Sequence, residues 1–296
     1  MTPRRHLLQG LALGATLWTA MPWRAALAAP DATEFARRMA EIEARSGGRL
    51  GVALLDTGSG FRAGHRAAER FPMASTFKLL LAGAVLRRVD EGKERLDRVI
   101  RFTRDDLVPY APVTGPAAGG PGLTVAALCE ATVTLSDNPA ANLLLDTVGG
   151  PAGLTAFLRG LGDATTRLDR TEPALNEGRP GDPRDTTTPD SMAFLIRALA
   201  LGDALRPASR ERLMGWLLGN RTGDAQIRAG LPQGWRAAEK TGSNPSAGIA
   251  NDVGLLLPPG RAPVLLAAYL TEARIAAAER PALLAEVARA AVRALG

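Results

Sequence analysis

The 296-residue sequence predicts an α+β fold, in which a helical domain is inserted into an α/β domain with an antiparallel sheet of about five strands flanked by helices. Three observations lead to this prediction. Short apolar runs typical of strands lie near both ends of the chain, helical periodicity dominates the region between them, and Gly- and Pro-rich turns separate consecutive strands.

The first elements form a helix and a hairpin. Phe35, Met39 and Ile42 recur at spacings of four and three, which predicts an amphipathic helix over residues 32–44. Residues 50–55 are a continuous apolar run that ends at the turn sequence 56–60. Residues 61–65 can then return as the second strand.

The middle of the chain has mainly helical patterns. Helices are predicted over residues 75–89, 124–131, 139–147, 151–161, 189–199 and 207–219. Several of them have a proline at or near the start, where a missing N–H costs nothing. Between Arg167 and Pro189 the chain is rich in Pro, Gly, Asp and Thr and has little periodicity. A loop of that length inside a domain is usually functional.

Strands return at the end of the chain. They are predicted over residues 234–240, 250–257 and 264–269, and an amphipathic helix over 281–295 closes the chain. The expected α/β domain therefore combines residues 29–65 with 219–296. Residues 66–218, including an Ω-type loop at 167–185, form the expected helical domain.

The first 28 residues have the pattern of an export signal. Arg4 and Arg5 precede an apolar run, and Ala26-Leu27-Ala28 offers a small-x-small cleavage site. The paired arginines favour a twin-arginine signal, although ordinary secretory signals can also begin this way. A retained N-terminal anchor is the alternative, which Arg24 and the alanine-rich end make less favourable.

The positive charge of the chain does not predict nucleic-acid binding. Removing residues 1–28 deletes three arginines and no acid, so the formal charge falls from +6 to +3. The sequence contains no run of five basic residues and no interleaving of basic and aromatic residues. No membrane span is expected in the mature chain either, since no apolar stretch of about 18 residues follows the signal.

Two scarcities limit the chemistry. Cys129 is the only cysteine, so no intramolecular disulfide can form, and its apolar neighbours predict a buried helical thiol. His65 is the only histidine after the signal, in a stretch resembling a surface turn. A zinc site of the usual kind therefore lacks ligands, and a hydrolytic site needs a base other than histidine.

Lysine is also scarce, and its positions are informative. Only Lys78, Lys93 and Lys240 are lysines among 36 basic residues. An amine can lose its proton when it is buried, whereas a guanidinium cannot, so lysines kept in an arginine-rich chain are candidate bases. Lys93 lies in a polar turn, while Lys78 and Lys240 fall within motifs.

The first motif is Ser75-Thr76-Phe77-Lys78. On a helix this spacing places hydroxyl and amine on one face, at an N-terminus that favours negative charge. The apolar neighbours of Lys78 predict burial and a lowered pKa. Ser-x-x-Lys alone is weak, because a capping serine with an exposed lysine has the same pattern.

Two further motifs follow in order. Ser136-Asp137-Asn138 precedes a proline and by itself resembles a helix N-cap, and Lys240-Thr241-Gly242 follows a strand-like run and could by itself be a turn. The ordered set of three motifs is known for class A β-lactamases and penicillin-binding proteins.

From about residue 31 to its C-terminus the chain resembles the class A serine β-lactamases. The resemblance extends beyond the three motifs to the segments Tyr110-Ala111-Pro112-Val113, Ser136 to Leu144, Arg167-Leu168-Asp169-Arg170 and Glu172-Pro173-Ala174-Leu175-Asn176, in the family's order. It implies hydrolysis of the β-lactam ring of penicillins and cephalosporins, and hence resistance, with an active site between the two domains. It implies neither metal nor cofactor, a monomer, and a periplasmic location after export.

The resemblance implies the following catalytic roles. Ser75 is the nucleophile, and the backbone N–H groups of Ser75 and Ser243 form the oxyanion hole. The proton of Ser75 passes to Lys78, or to Glu172 through water, and the sequence leaves both routes open. Ser136 and Lys240 relay a proton to the leaving nitrogen.

Deacylation and substrate binding involve further residues. Glu172 with the Asn176 amide can activate the water that hydrolyses the acyl-enzyme. Arg170 and Asp185 are expected to close the loop as an ion pair. Substrate contacts are expected from Tyr110, Asn138, Asn176, Arg228, Thr241 and Ser243. Arg228 is the candidate guanidinium for the substrate carboxylate, and a structural surface arginine is the alternative.

Two alternative functions share part of this pattern. A D,D-peptidase of the penicillin-binding type has the same serine and lysines but no need of Glu172 and Asn176. A β-lactam sensor domain, which stays acylated, would need a membrane tether.

Overall fold

The computed structural model describes residues 31–296, so the predicted export signal over residues 1–28 lies outside the described residues. The helices are α1 (Ala32–Ser46), α2 (Phe77–Asp90), α3 (Thr114–Ala117), α4 (Val125–Thr134), α5 (Asn138–Thr147), α6 (Gly150–Gly160), α7 (Pro189–Ala200), α8 (Pro207–Leu218) and α9 (Arg280–Ala294). The strands are β1 (Arg49–Asp56), β2 (Arg62–His65), β3 (Phe71–Pro72), β4 (Val99–Ile100), β5 (Leu123–Thr124), β6 (Thr186–Thr187), β7 (Arg236–Asn244), β8 (Ile249–Leu257) and β9 (Val264–Thr271).

Five strands form one antiparallel sheet in the order β2-β1-β9-β8-β7. The predicted α+β class and the five-stranded antiparallel sheet are thereby confirmed. The chain leaves this sheet after β2 and returns to it at β7, so helices α2 to α8 lie between the two in sequence. No helix in the described part of the chain is both long and apolar enough to cross a bilayer.

Both faces of the sheet are buried, which explains why its central strands are apolar throughout. Along β1, Leu50, Val52 and Leu54 pack with α1 and α9, whereas Ala53 and Leu55 face the helices of the other layer. Burial of one such aliphatic side chain stabilises the fold by about 1.5–3 kcal/mol. Because successive side chains of a strand point to opposite faces of the sheet, alternate residues of β1 belong to two separate cores.

Helix α2 lies at the centre of the helical layer. Its ten residues Phe77–Leu86 are all buried, as expected for a helix that is apolar on every side. Gly83 allows close packing, since a Cβ there would lie 2.8 Å from Leu199 Cδ1. Cys129 in α4 is fully buried, and burial raises the pKa of its thiol.

Strand β7 is shifted relative to its predicted range. It begins at Arg236 instead of residue 234 and continues to Asn244, because its pairing with β8 extends to the Asn244–Ile249 pair. Lys240, Thr241 and Ser243 therefore lie inside a strand and not in a turn. The rigid ladder fixes their side-chain directions.

Candidate active site

Ser75 lies in a short 3-10 turn, Ala74–Thr76, that leads into α2. Ala74 and Thr76 are buried, while Ser75 keeps partial access to solvent. Strand β7 packs tightly against this turn: a Cβ on Gly242 would lie 2.7 Å from the Met73 carbonyl oxygen and 3.1 Å from Ser75 N. Glycine is therefore required at this point, and its absence of a side chain lets the two backbones approach.

Three residues around Ser75 have left-handed backbone angles that side chains rarely adopt. They are Ala74 at φ 43°, Tyr110 at φ 70° and Ser136 at φ 60°. Such conformations cost of order 1–3 kcal/mol each and persist only where the surrounding structure holds them. Their grouping around one serine is typical of a functional site.

The ammonium of Lys78 is fully buried among oxygen acceptors. It donates to Asn138 Oδ1 at 2.5 Å and to the Ser136 carbonyl at 2.8 Å. Its nitrogen also lies 3.0 Å from Glu172 Oε1. Burial lowers the pKa of Lys78, and the charge of Glu172 opposes that shift.

Lys240 approaches Ser136 from β7. Its Nζ donates to Ser136 Oγ at 3.0 Å and to the Thr241 carbonyl at 2.9 Å. Burial lowers the pKa of Lys240 well below its ordinary value, and the nearby charge of Lys78 lowers it further. The Ser136 hydroxyl thus lies between two buried amines, because Lys78 Nζ is also close to it, at 3.3 Å.

Glu172 reaches the serine from the long loop and is 2% exposed. Ser75 Oγ donates to Glu172 Oε1 at 3.3 Å, and Asn176 Nδ2 donates to Glu172 Oε2. Asn142 of α5 holds the Glu172 backbone from both sides, because its amide accepts from the Glu172 N–H at 2.9 Å and donates to its carbonyl at 3.0 Å. The carboxylate is therefore held rigidly beside the hydroxyl.

The predicted partners Arg170 and Asp185 lie together at the base of this loop. Arg170 Nε donates to Asp185 Oδ2 at 2.6 Å, and the backbone N–H groups of Asp169 and Arg170 donate to Asp185 Oδ1. Asp185 is 1% exposed, and these three donors compensate its buried charge.

A cleft of about 290 Å³ opens over Ser75. Its lining residues are Ser75, Tyr110, Ser136, Asn138, Asn176, Thr222, Gln226, Thr241, Gly242 and Ser243. Lys78, Glu172 and Lys240 lie directly behind this wall.

Arg228, predicted to bind the substrate carboxylate, is not among the residues that line this cleft. Its Nη1 contacts Asp224 at 2.6 Å, and Nη2 lies 3.0 Å from Glu239 Oε1. Glu239 is almost fully buried, so this contact holds the guanidinium against β7. Gln226 lines the cleft, and its Oε1 is buried without a hydrogen-bond partner in the described chain.

Sequence reasoning missed Asn142, Thr222 and Gln226. Thr222 Oγ1 lies 2.5 Å from Thr241 Oγ1, so it belongs to the same wall as the Lys-Thr-Gly motif. Asn142 lies one helical turn after Asn138, and this spacing was the one available signal. Thr222 and Gln226 lie in an irregular segment without a distinguishing pattern.

Comparisons with known proteins agree with this architecture. A family model described as the beta-lactamase enzyme family matches residues 34–295. Beta-lactamase AST-1 of Nocardia asteroides is 52% identical over 88% of this chain and 83% of its own length. Beta-lactamase L2 of Stenotrophomonas maltophilia is 47% identical over 100% of both chains.

Solved structures give the same result. The ancestral class A β-lactamase of Gram-negative bacteria is 60% identical, with a TM-score of 0.86 over 88% of this chain and 99% of that one. A β-lactamase from Xanthomonas campestris pv. campestris is 55% identical, with a TM-score of 0.86 over 88% of this chain and 97% of that one.

Proposed function

Because this chain belongs to the class A β-lactamase family and is a serine hydrolase of β-lactams, we propose that Ser75 is its nucleophile and that the reaction passes through an acyl-enzyme. The observation that carries this proposal is the contact of Ser75 Oγ with Glu172 Oε1 at 3.3 Å, beside the buried Lys78 ammonium. A weak nucleophile needs an adjacent base, and this site supplies one without histidine.

In acylation, Ser75 Oγ bonds to the lactam carbonyl carbon, and the bond from that carbon to the ring nitrogen breaks. The 3.3 Å contact supports Glu172 as the acceptor of the serine proton. Lys78 donates to Ser136 and Asn138, and its charge beside Glu172 holds the carboxylate in place. The backbone N–H groups of Ser75 and Ser243 would stabilise the oxyanion.

The leaving nitrogen needs a proton. Ser136 Oγ can donate one and be reprotonated from Lys240 Nζ, 3.0 Å away. The lowered pKa of Lys240 suits this role, because an amine whose charge is disfavoured gives up its proton readily.

Before deacylation, the serine proton held by Glu172 returns to Ser136 and Lys240 through Lys78 Nζ, which lies 3.0 Å from Glu172 Oε1 and 3.3 Å from Ser136 Oγ, so Glu172 is ionised again. In deacylation, Glu172 takes a proton from water while the water oxygen bonds to the ester carbon. The bond from that carbon to Ser75 Oγ then breaks, and the proton on Glu172 passes to Ser75 Oγ as the opened product leaves. Asn176 Oδ1 is buried without a hydrogen-bond partner in the described residues, and it can accept from that water. Asn142 keeps Glu172 aligned through this step. We propose that the Arg170–Asp185 pair holds the loop closed meanwhile.

Substrate binding is assigned to the cleft lining. Asn138 uses its amide to bridge Lys78 and the Pro109 carbonyl, which leaves one lone pair of Oδ1 for a substrate N–H. Thr241 and Ser243 offer hydroxyls to the substrate carboxylate, with Lys240 behind them. Tyr110, which is 58% exposed, forms the entrance wall.

We further propose that the protein is exported to the periplasm, acts there as a monomer and confers β-lactam resistance. The α/β domain of residues 29–65 and 219–296 and the helical domain of residues 66–218 would then enclose the cleft between them.

The test uses a chromogenic cephalosporin, with turnover followed by absorbance and covalent state by intact mass. We expect multiple turnovers by the wild type and a loss of at least about 10³-fold in Ser75→Ala. Glu172→Ala should accumulate an adduct on Ser75, because the ester forms but is not hydrolysed.

The alternatives give different outcomes. One equivalent of adduct without turnover by the wild type would indicate a sensor domain, and cleavage of a D-Ala-D-Ala peptide without lactam turnover would indicate a peptidase. Normal turnover by Glu172→Ala with no adduct would remove Glu172 from its role.

A further inference from the structure

A second buried charged group lies behind the strand that carries Lys240. Successive side chains of a strand point to opposite faces, so Glu239 projects from the face of β7 opposite to Lys240. Asp252 on β8 pairs in register with Thr241, two residues after Glu239, and therefore shares its face. The two carboxyls are diagonal neighbours, 1% and 0% exposed.

The hydrogen bonds of these carboxyls are incomplete. Asp252 Oδ2 accepts from the Ile227 backbone N–H at 3.1 Å. Asp252 Oδ1 and both oxygens of Glu239 have no aligned hydrogen-bond donor in the described chain, although the Asn220 amide lies close enough to Glu239 to oppose the rise of its pKa. Arg228 Nη2 lies 3.0 Å from Glu239 Oε1 without hydrogen-bond alignment. Buried polar atoms are nearly always paired, so three unpaired oxygens in one place require an explanation.

The surroundings leave the carboxyls little freedom to move apart. A Cβ on Gly223 would lie 2.1 Å from Glu239 Oε1, so the segment over residues 220–230 packs directly on the glutamate. A Cβ on Gly230 would lie 2.1 Å from the Ala285 carbonyl oxygen, so α9 closes the other side of that segment.

We propose that Glu239 and Asp252 share a single proton, and that this carboxyl pair, together with Arg228, positions the segment 220–230 at the edge of the cleft. Two buried carboxylates facing one guanidinium cannot both stay ionised cheaply. If one is protonated, its O–H can donate to a free oxygen of the other, which pairs two of the three oxygens and leaves one Glu239 oxygen beside Arg228. In this arrangement Glu239 and Asp252 are positioning residues.

The charged groups around the pair support this inference. Burial and the charges of Asp252 and Asp224 raise the pKa of Glu239 to about 9, against the opposing effects of Arg228 and the Asn220 amide. Burial also raises the pKa of Asp252, although the Ile227 N–H and the charges of Lys240 and Arg228 oppose it.

The positioned segment carries part of the cleft wall. Thr222 contacts Thr241 in the cleft wall, and Gln226 also lines the cleft. Arg228 also donates to the Asn220 carbonyl at 2.9 Å, so the pair is connected to the start of the segment. Loss of the pair should therefore weaken substrate binding more than the chemical step, an expectation that rests on the proposed function of the cleft.

The experiment counts protons released on unfolding. The pH dependence of urea unfolding between pH 5 and 10 is measured for the wild type, Glu239→Gln and Glu94→Gln. Buried Lys78 and Lys240 add a change of the opposite sign, so the count is compared between variants, and the carboxyl pair should add about one proton to the folded wild type above the ordinary glutamate pKa. Glu239→Gln should lower this count by about one. Glu94→Gln is the matched control, because Arg98 lowers the pKa of that buried carboxyl.

Kinetics test the positioning role. Glu239→Gln can still donate to Asp252, and its KM and kcat at neutral pH should stay within about twofold of the wild type. Glu239→Ala should raise KM about tenfold and leave kcat within about twofold.

Two results would overturn the inference. An unchanged proton count in Glu239→Gln would mean that no proton is shared. A lowered count with an unchanged KM in Glu239→Ala would refute the positioning role. The proton count does not depend on turnover, so its result stands even if the proposed function fails.

Discussion

Strand β7 separates two buried clusters of charged side chains, one with more basic than acidic groups and the other with more acidic than basic groups. The front cluster, Lys78, Lys240 and Glu172, has two amines and one carboxylate behind the cleft wall. The back cluster, Arg228, Glu239 and Asp252, has one guanidinium and two carboxyls. In the front cluster both amines donate to oxygens, whereas the back cluster keeps three carboxyl oxygens without a hydrogen bond.

The two clusters should respond to pH in opposite directions. Burial lowers the pKa of Lys78 from 10.5, so between its lowered pKa and 10.5 the unfolded chain binds more protons and stability rises with pH. The pKa of Glu239 is raised from 4.5 to about 9, so between these values the folded chain binds more protons and stability falls as pH rises. One strand can therefore hold an excess of basic groups on one face and of acidic groups on the other, because the basic face loses protons on folding and the acidic face gains one.

The largest expected effect comes from removing a front-cluster amine. Lys78→Met leaves Glu172 buried without its closest cation, so we expect kcat/KM to fall about 10³-fold and the free energy of unfolding to fall by about 3 kcal/mol. Urea unfolding and cephalosporin turnover measure the two effects. Lys93→Met, at an exposed lysine, is the control and should change neither. An unchanged free energy of unfolding in Lys78→Met would show that Glu172 does not depend on Lys78 for its stability in the front cluster.

A smaller effect is expected from moving the strand that carries both clusters. Gly242→Ala forces β7 away from the Met73 carbonyl and from Ser75, and kcat/KM should fall about 10²-fold because the reacting groups are displaced. Gly215→Ala is the matched control. A Cβ at Gly215 meets nothing within 4 Å in helix α8, so this change should stabilise the protein by about 0.5–1 kcal/mol. Full activity in Gly242→Ala would show that the close approach to the turn is not needed.

The smallest effect on catalysis is expected in the back cluster. Arg228→Met should destabilise the protein by about 2 kcal/mol, because it leaves two buried carboxyls without a cation. Adding Glu239→Gln should recover part of that loss, with a coupling of about 0.5–3 kcal/mol in the double-mutant cycle of unfolding free energies. Strictly additive losses would mean that Arg228 and Glu239 do not interact.

Much of the architecture could be predicted from sequence because it depends on periodicity and turns. All five strands of the sheet were expected near their observed positions, since apolar runs and turn residues mark them locally. The strand order could not be predicted. Strand β9 lies between β1 and β8, and its pairing with β1 joins residues that are far apart in the sequence. The end of β7 was misplaced since pairing with β8, and not local preference, extends it to Asn244.

The site was predictable only where motifs mark it. Ser75, Lys78, Ser136 and Lys240 come from recognisable patterns, and the structure brings them together. The contact of Arg228 with the buried Glu239 could not be predicted, because the two residues are eleven positions apart and no motif links them. Sequence patterns indicate which residues are present, whereas their direction depends on remote partners.

The buried Cys129 thiol can report how often the helical layer of the protein opens. The chain contains no other cysteine, and this thiol is fully buried in α4 with a raised pKa. A thiol reagent can therefore modify it only when the helical layer opens, since reactivity requires both access and the thiolate. The rate of modification reports that opening in the unaltered protein, without an added label, and it can be compared directly among all the variants above.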